Sequence, residues 1–272
     1  MPTLTAEQVQ TEAIRRVAQR RLHTREADRP GPPSWHALVQ CRSTALHSHQ
    51  QAFIASQKKR KVLRAGRRGG KTIGDAILAV QGFLAGKRVL YAVPTQEQVD
   101  QFWYEVKTAL AAPIDRGYLY KNETRHLIEI PRTQVRIRAK TAFNADTLRG
   151  DYADLLILDE YQLMNEDAWG VVGAPMLLDN NGDAVFSYTP PSFRTAGMSK
   201  AHDLRHAAKL YASAAQDNTG RWQAWTFRSH DNPYLSTEAL GDISHDMTSL
   251  AYRQEILAED VDEVPGALWT QR

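Results

Sequence analysis

Apolar and polar positions follow two rhythms along this chain. From residue 60 onward, short apolar runs alternate with amphipathic stretches. The runs "KVLRA" (61–65), "RVLYAV" (88–93), "DLLILDE" (154–160) and "AVFSYT" (184–189) have the length of buried strands, roughly four to eight residues. Between the first two, "TIGDAILAVQGFLAG" places Ile73, Ile77, Val80 and Leu84 on one helical face and stops at Gly86. "TQEQVDQFWYEVKTALAA" (95–112) reads as a second helix with Thr95 as its N-cap. "RHLIEI" and "QVRIR" read as a β pair around Pro131, and helical stretches are expected near 198–215 and 236–258. Strands that are apolar throughout and alternate with helices imply a parallel sheet covered on both faces. Residues 5–22 read as a further helix, with a capping box at Thr5 and Gln8, and "RPGPPSW" (29–35) breaks it. The expected organisation is an N-terminal helix and linker over 1–45, an α/β core over 46–228 and a closing helical segment over 229–272.

Composition sharpens this only locally. A length of 272 residues suits one large α/β domain with a small appendage, and 42% apolar with 24% charged residues is ordinary for a soluble protein. A net charge of +3 names no partner. Yet "KKRKVLRAGRRGGK" (58–71) holds eight basic residues and no acid, while residues 231–263 hold nine acids and one arginine, Arg253. A basic cluster attracts phosphate, from a nucleotide or a nucleic-acid backbone, and it also serves as a plain solvated face. The single cysteine, Cys41, excludes an internal disulfide framework and a cysteine-based zinc site. No apolar run approaches the ~18 residues of a membrane span, and the polar N-terminus lacks a signal-peptide core. A cytoplasmic protein with no membrane partner is expected.

The chemistry concentrates in two places. "RAGRRGGKT" (64–72) ends like the phosphate-binding loop G-x-x-x-x-G-K-[ST], with Ala65 in the first position and Gly66 after it. A strand before it and an amphipathic helix after it are the context that the motif requires. Gly66, Gly69 and Gly70 allow backbone N–H groups to curl around phosphate oxygens. Lys71 would reach the β- and γ-phosphates, and the Thr72 hydroxyl would take Mg²⁺. The second place is "LLILDE", where Asp159 would hold the Mg²⁺ shell and Glu160 would deprotonate the attacking water. Together they point to nucleotide hydrolysis. Gln50, in "HSHQ" (47–50), can grip adenine through its amide or be a polar loop residue.

Five ordered motifs carry a resemblance: H-x-x-Q at 47–50, the altered loop, "VPT" at 93–95, "LRG" at 148–150 before "LLILDE", and "SYTPPS" at 187–192. From about His47 to about Trp269 the chain resembles the ATPase domain of phage terminase large subunits, the motors that package DNA into procapsids. The resemblance implies a P-loop NTPase of the additional-strand catalytic-Glu type, a mainly parallel sheet flanked by helices, with a small C-terminal helical subdomain. It makes Ala65 and Arg67 family features, since such loops commonly lack the first glycine and carry this arginine. It implies that Arg67 contacts the γ-phosphate region and that Thr189 belongs to a coupling motif sensing hydrolysis. It also implies an arginine supplied by a neighbouring subunit, here Arg125, with Arg132, Arg136, Arg138 and Arg149 as rivals. ATP and Mg²⁺ are the implied cofactors. Double-stranded DNA gripped by its backbone, a homo-oligomeric ring on the portal, and the small terminase subunit are the implied partners, in the cytoplasm of a bacterial host.

Large terminases continue into a nuclease domain built on metal-binding carboxylates. Here Glu259, Asp260, Asp262 and Glu263 crowd one segment and read as a solvated connector, so no nuclease activity is expected and the nuclease is expected on another domain or protein. Two other readings compete. "DEYQ" (159–162) has the D-E-x-Q form of superfamily 1 helicases, and a nucleotide-dependent DNA-binding module would need no hydrolysis.

Overall fold

The computed structural model describes residues 34–40, 46–142, 145–191 and 199–261; the expected helix over 5–22 lies outside them. The chain divides into two units, residues 1–37 and 38–272, and the second holds the sheet. The strands of this second unit are β1 (Arg60–Ala65), β2 (Arg88–Val93), β3 (Tyr120–Asn122), β4 (Leu127–Glu129), β5 (Arg136–Thr141), β6 (Leu155–Asp159), β7 (Asp183–Tyr188) and β8 (Trp222–Phe227). They form an eight-stranded sheet in the order β3-β4-β5-β2-β6-β7-β1-β8. From β5 to β8 all neighbours run parallel, while β3 and β4 are antiparallel additions at one edge. Its helices are α1 (Ser48–Ala55), α2 (Lys71–Leu84), α3 (Gln96–Ala109), α4 (Ala111–Asp115), α5 (Ala174–Met176), α6 (His206–Ala215), α7 (Thr237–Asp246) and α8 (Ser249–Glu255). Among the described residues, no helix is long and apolar enough to cross a membrane.

The period of two along a strand sorts the core into two layers. Even-numbered positions, Val62, Leu90, Leu156, Leu158, Ala184 and Phe186, share one apolar cluster with Tyr161, Val172 and Leu177. The odd-numbered Leu63, Val89, Tyr91, Ile157 and Val185 are equally buried, and alternation puts them on the opposite face. There Tyr91 stacks on Phe102 of α3, with ring centroids 3.6 Å apart. Every residue of β6 is buried, which is why it reads as an unbroken apolar run.

Strand β7 lies between β1 and β6, so one strand separates the loop after β1 from the acids at the end of β6. That is the additional-strand arrangement expected from the resemblance. Thr95 caps α3 as expected, in a capping box with Gln98. Three expectations change. The stretch 236–258 holds two helices rather than one, because the backbone turns extended at Met247 and Thr248, and the Thr248 side chain caps α8. Gln50 sits in α1, not in a loop. And β8, "WQAWTF", had no counterpart in the apolar pattern. It is an edge strand on which Trp225 and Phe227 are buried and Ala224 and Thr226 half-buried, so it lacks the continuous apolar run of the central strands.

Phe186 is fully buried, edge-on to Tyr161 and Trp169 and stacked with Trp222 at 5.9 Å. Phe186→Ala is expected to cost about 3–5 kcal/mol by urea denaturation with an unchanged m-value. A loss under about 1 kcal/mol would show that this ring cluster does not hold the sheet together.

Candidate active site

The loop between β1 and α2 opens at the C-terminal edge of the parallel strands. Its backbone is unusual for local reasons. Gly70 has φ 91°, and a Cβ there would lie 2.2 Å from the Gln50 amide nitrogen. Gly66 faces a different constraint, since a Cβ would lie 2.7 Å from the Ile256 carbonyl oxygen and 2.8 Å from that of Glu255. Glycine at 66 therefore lets the C-terminal segment approach the loop. The Gly66 N–H donates to Phe227 O (2.8 Å) and the Gly69 N–H to Gly66 O (3.0 Å), so these two amides close the loop on the protein.

The H-x-x-Q pair grips the same loop. His47 caps α1: its Nδ1 accepts from the Gln50 N–H at 3.2 Å, which leaves Nε2 to donate to Gly69 O at 3.1 Å. Burial holds this imidazole below its usual pKa, which favours the neutral form. The Gln50 amide nitrogen donates to Gly70 O (2.9 Å) and its oxygen accepts from the His47 N–H (3.3 Å). Both ends of the amide proposed for adenine are thus turned on the loop and on α1.

At the centre, Lys71 on the first turn of α2 meets both acids of β6. Its ammonium donates to Asp159 Oδ1 at 2.5 Å and to a Glu160 carboxylate oxygen. Burial opposes this charge, but the two carboxylates outweigh it and hold the ammonium protonated above its usual range. Glu160 shows the converse: burial, the largest single influence, raises its pKa, but the Lys71 charge and the bonds from Lys71 and Gln162 together bring it below its usual range. Gln162 donates its amide to the other Glu160 oxygen at 2.6 Å. Glu160 itself stands in the left-handed region at φ 52°, a costly conformation for a side-chain-bearing residue and a frequent mark of functional positions. Asp159 also accepts from the Tyr91 hydroxyl (2.7 Å) and the Glu160 N–H (2.8 Å).

A third carboxyl lies beneath. Asp75, one turn along α2, is fully buried; its Oδ1 accepts from Ser187 Oγ of β7 at 3.0 Å, and its Oδ2 has no partner among the described residues. Burial, and then the neighbouring Asp159, push its pKa well above the ordinary range. Asp159 and Glu160, with the Thr72 hydroxyl next in chain to Lys71, are hard oxygen donors of the kind Mg²⁺ takes, while no group of three or more acids or imidazoles among the described residues is placed to hold a metal.

The remaining expectations sort by place. Arg67 is in the loop, its side chain 71% exposed, with Nε 2.6 Å from Glu255 Oε2. Thr189 follows β7 directly, between the loop and the acids. Arg125 is exposed on the turn between β3 and β4, just before the β4–β5 pair, and β4 lies five places from β1 in the sheet. It does not reach this chain's own site. Arg138 and Arg149 pair with Asp151 and Asp146 of the same chain. The connector reading of Asp260 is overturned. Its side chain is 16% exposed and accepts from Arg64 (2.9 Å) and the Tyr188 hydroxyl (2.7 Å). Glu259 does face solvent, paired with Arg253, and Asp262 and Glu263 lie outside the described residues. Tyr91, Asp75, Ser187 and Glu255 were not anticipated. Only Gln162 had left a signal, in the D-E-x-Q spacing.

No protein-family model matches the sequence, and no curated protein matches it. Solved structures do. The ATPase domain of the large terminase of Thermus phage P74-26 superposes with a TM-score of 0.62 at 20% identity, over 86% of this chain and 100% of that one. The chain has the fold of a phage large-terminase ATPase domain. The large terminase of a thermophilic bacteriophage, solved in complex with ATP-gamma-S, matches with a TM-score of 0.58 at 15% identity over 80% of this chain. The HK97 bacteriophage large terminase matches at 0.60 and 14% over 79%. The match spans 53% of the thermophilic phage's chain and 50% of the HK97 chain. In this terminase fold the loop, Asp159 and Glu160 occupy one edge of the sheet, as the sequence motifs require.

Asp75 carries a pH signature. Below the unfolded carboxyl value near 4 both states hold the proton and nothing is lost. As pH rises past it, the unfolded chain ionises while the buried Asp75 resists, so stability falls until the raised folded value is passed. Asp75→Asn keeps the shape and the bond from Ser187 without a titrating proton. In melts without nucleotide or Mg²⁺, its Tm is expected to gain on wild type between pH 4 and 7. A Tm difference that is flat or shrinks with pH would sink this account.

Proposed function

We propose that this chain is a Mg²⁺-dependent ATPase that drives double-stranded DNA into a viral procapsid, as the motor domain of a large terminase. The observation that carries the reading is Lys71 bridging Asp159 and Glu160 across one intervening strand, in the fold of terminase ATPase domains. Hydrolysis needs a cation on the phosphates, a base for water and a metal-ligating acid, and these residues supply all three in reach of one another.

Lys71 pairs with both acids. With ATP in the loop, Lys71 would turn to the β- and γ-phosphates, and Thr72 and Asp159 would hold Mg²⁺. The metal supplies charge neutralisation for the phosphate oxygens. Glu160, aligned by Gln162, takes the proton of the attacking water. Arg67 approaches the γ-phosphate from the loop, while Gln50 and His47 hold the loop's carbonyls. Adenine recognition by Gln50 would exchange its bond to Gly70. Thr189, next in chain to β7, carries the change in phosphate state toward the DNA-gripping surface, which is built for backbone phosphate and not for sequence. Arg125, remote from its own site, serves a neighbouring subunit's site in a ring. A helicase reading keeps one observation in its favour, the Gln162–Glu160 bond of the D-E-x-Q form.

Glu160→Gln is expected to lower kcat about 10²–10⁴-fold while retaining ATP-gamma-S binding, measured by steady-state hydrolysis and by titration. Full activity in this variant would remove the base, and no hydrolysis by wild type would leave only a binding module. Specific activity is further expected to rise with protein concentration on long double-stranded DNA and to fall in Arg125→Ala. A concentration-independent rate stimulated by single strands and indifferent to Arg125 would favour the helicase.

A further inference from the structure

The loop that would hold ATP is closed on one side by the C-terminal segment. The Arg67 N–H donates to Glu255 O at 2.6 Å, and Arg67 O accepts from Ser229 Oγ at 2.6 Å. The Asn232 amide donates to Arg68 O at 2.6 Å. The main chain around Arg67 is therefore held on both sides by residues 229–255. A second anchor lies one turn of chain away, where Asp260 receives Arg64 of β1 and Tyr188 of β7. The Gln254 amide adds a bond to Pro191 O (3.0 Å), just past Thr189. These contacts fasten the end of α8 to the two strands that carry the loop and the coupling motif.

The side-chain contact has a particular chemistry. The Glu255 carboxylate, 12% exposed, bonds the Arg67 guanidinium through Nε. Nε is the inner nitrogen. A bond there fixes the plane of the group and leaves both terminal amino groups on its outer edge. Arg67 stands in the same loop as Lys71, four positions before it. An arginine already held this way loses less rotamer freedom on meeting phosphate, and its planar fork presents paired donors.

We propose that Glu255 is a positioning residue for ATP hydrolysis: its carboxylate holds Arg67 by Nε and presents the two terminal amino groups to the γ-phosphate. The inference rests on the ATPase reading of the same loop. It makes the acidic C-terminal segment part of the nucleotide site. Through the Asp260 and Gln254 contacts, it also couples the order of that segment to Arg67.

The test compares the full chain as wild type, Glu255→Ala, Glu255→Gln, Arg67→Ala and the double variant. It reads kcat and KM on long double-stranded DNA with Mg²⁺, and separately the affinities for ATP-gamma-S and ADP. Glu255→Ala is expected to lower kcat about 10–100-fold and to weaken ATP-gamma-S several-fold, with ADP binding unchanged, since ADP lacks the phosphate that Arg67 meets. Glu255→Gln keeps an oxygen acceptor for Nε and is expected to recover most of the loss. The double variant is expected to be no worse than Arg67→Ala, because the two act as one unit. Glu255→Asp keeps the charge and the main-chain bond, and its intermediate loss carries the test should the alanine variant fail to fold. The proposal is overturned if Glu255→Ala matches or exceeds wild type, if ADP and ATP-gamma-S weaken equally, or if the two single losses multiply. Failure of the ATPase reading is distinct: wild type would then neither hydrolyse ATP nor bind ATP-gamma-S, and Arg67→Ala would be silent.

Discussion

An ammonium on the first turn of a helix meets two carboxylates at the end of a strand two places away in the sheet. Lys71, Asp159 and Glu160 are 88 and 89 residues apart, and each alone would be costly to desolvate. Their meeting requires parallel strands that end on one edge, a loop of few residues after β1, and β7 inserted between β1 and β6. The neighbouring polar groups follow from that contact. Tyr91 and the Glu160 N–H satisfy Asp159, Gln162 satisfies Glu160, and burial, then the neighbouring Asp159, pushes the Asp75 carboxyl well above its ordinary range. A buried ion pair of this kind is poor evidence for stability, since desolvation offsets most of its attraction. Its value is chemical. It holds a cation between two acids at the edge of the sheet, the arrangement on which the proposed hydrolysis rests.

The sheet gives this centre two different faces. Odd-numbered residues at the strand ends, Asp159 and Ser187, reach the α2 side, where Lys71 and Asp75 wait. Even-numbered residues, Arg64 and Tyr188, carry the opposite side, where Asp260 and Tyr211 receive them; the Arg64 guanidinium lies 4.2 Å from the Tyr211 ring. Strand β7 thus serves both faces, through Ser187 on the α2 side and through Tyr188, which anchors the C-terminal segment, on the other. A shift of β7 relative to its neighbours would be felt on both faces.

Much of this was legible along the chain, for identifiable reasons. Central strands covered on both faces must be apolar throughout, so β1, β2, β6 and β7 announced themselves within a residue or two. The loop and the acid pair were legible because phosphate and Mg²⁺ chemistry restricts the residue types that can serve. Strand β8 was not legible, because an edge strand buries only alternate positions. Nor was the role of Gly66, whose glycine answers to carbonyls nearly 190 positions away. Asp260 read as a solvent-facing acid and Glu255 went unmarked, since a carboxylate in an acidic run carries no local mark of the arginine it will meet.

Local pattern, then, determined the parallel α/β architecture, the loop and the acid pair at the end of β6, because periodicity and backbone freedom act within a turn or a strand. Tertiary structure alone decided which charges pair. Coulomb attraction and desolvation depend on distance in space. Only the folded sheet brings Lys71 to Glu160, Asp75 to Ser187, and the acidic end of the chain to the arginines of its phosphate loop.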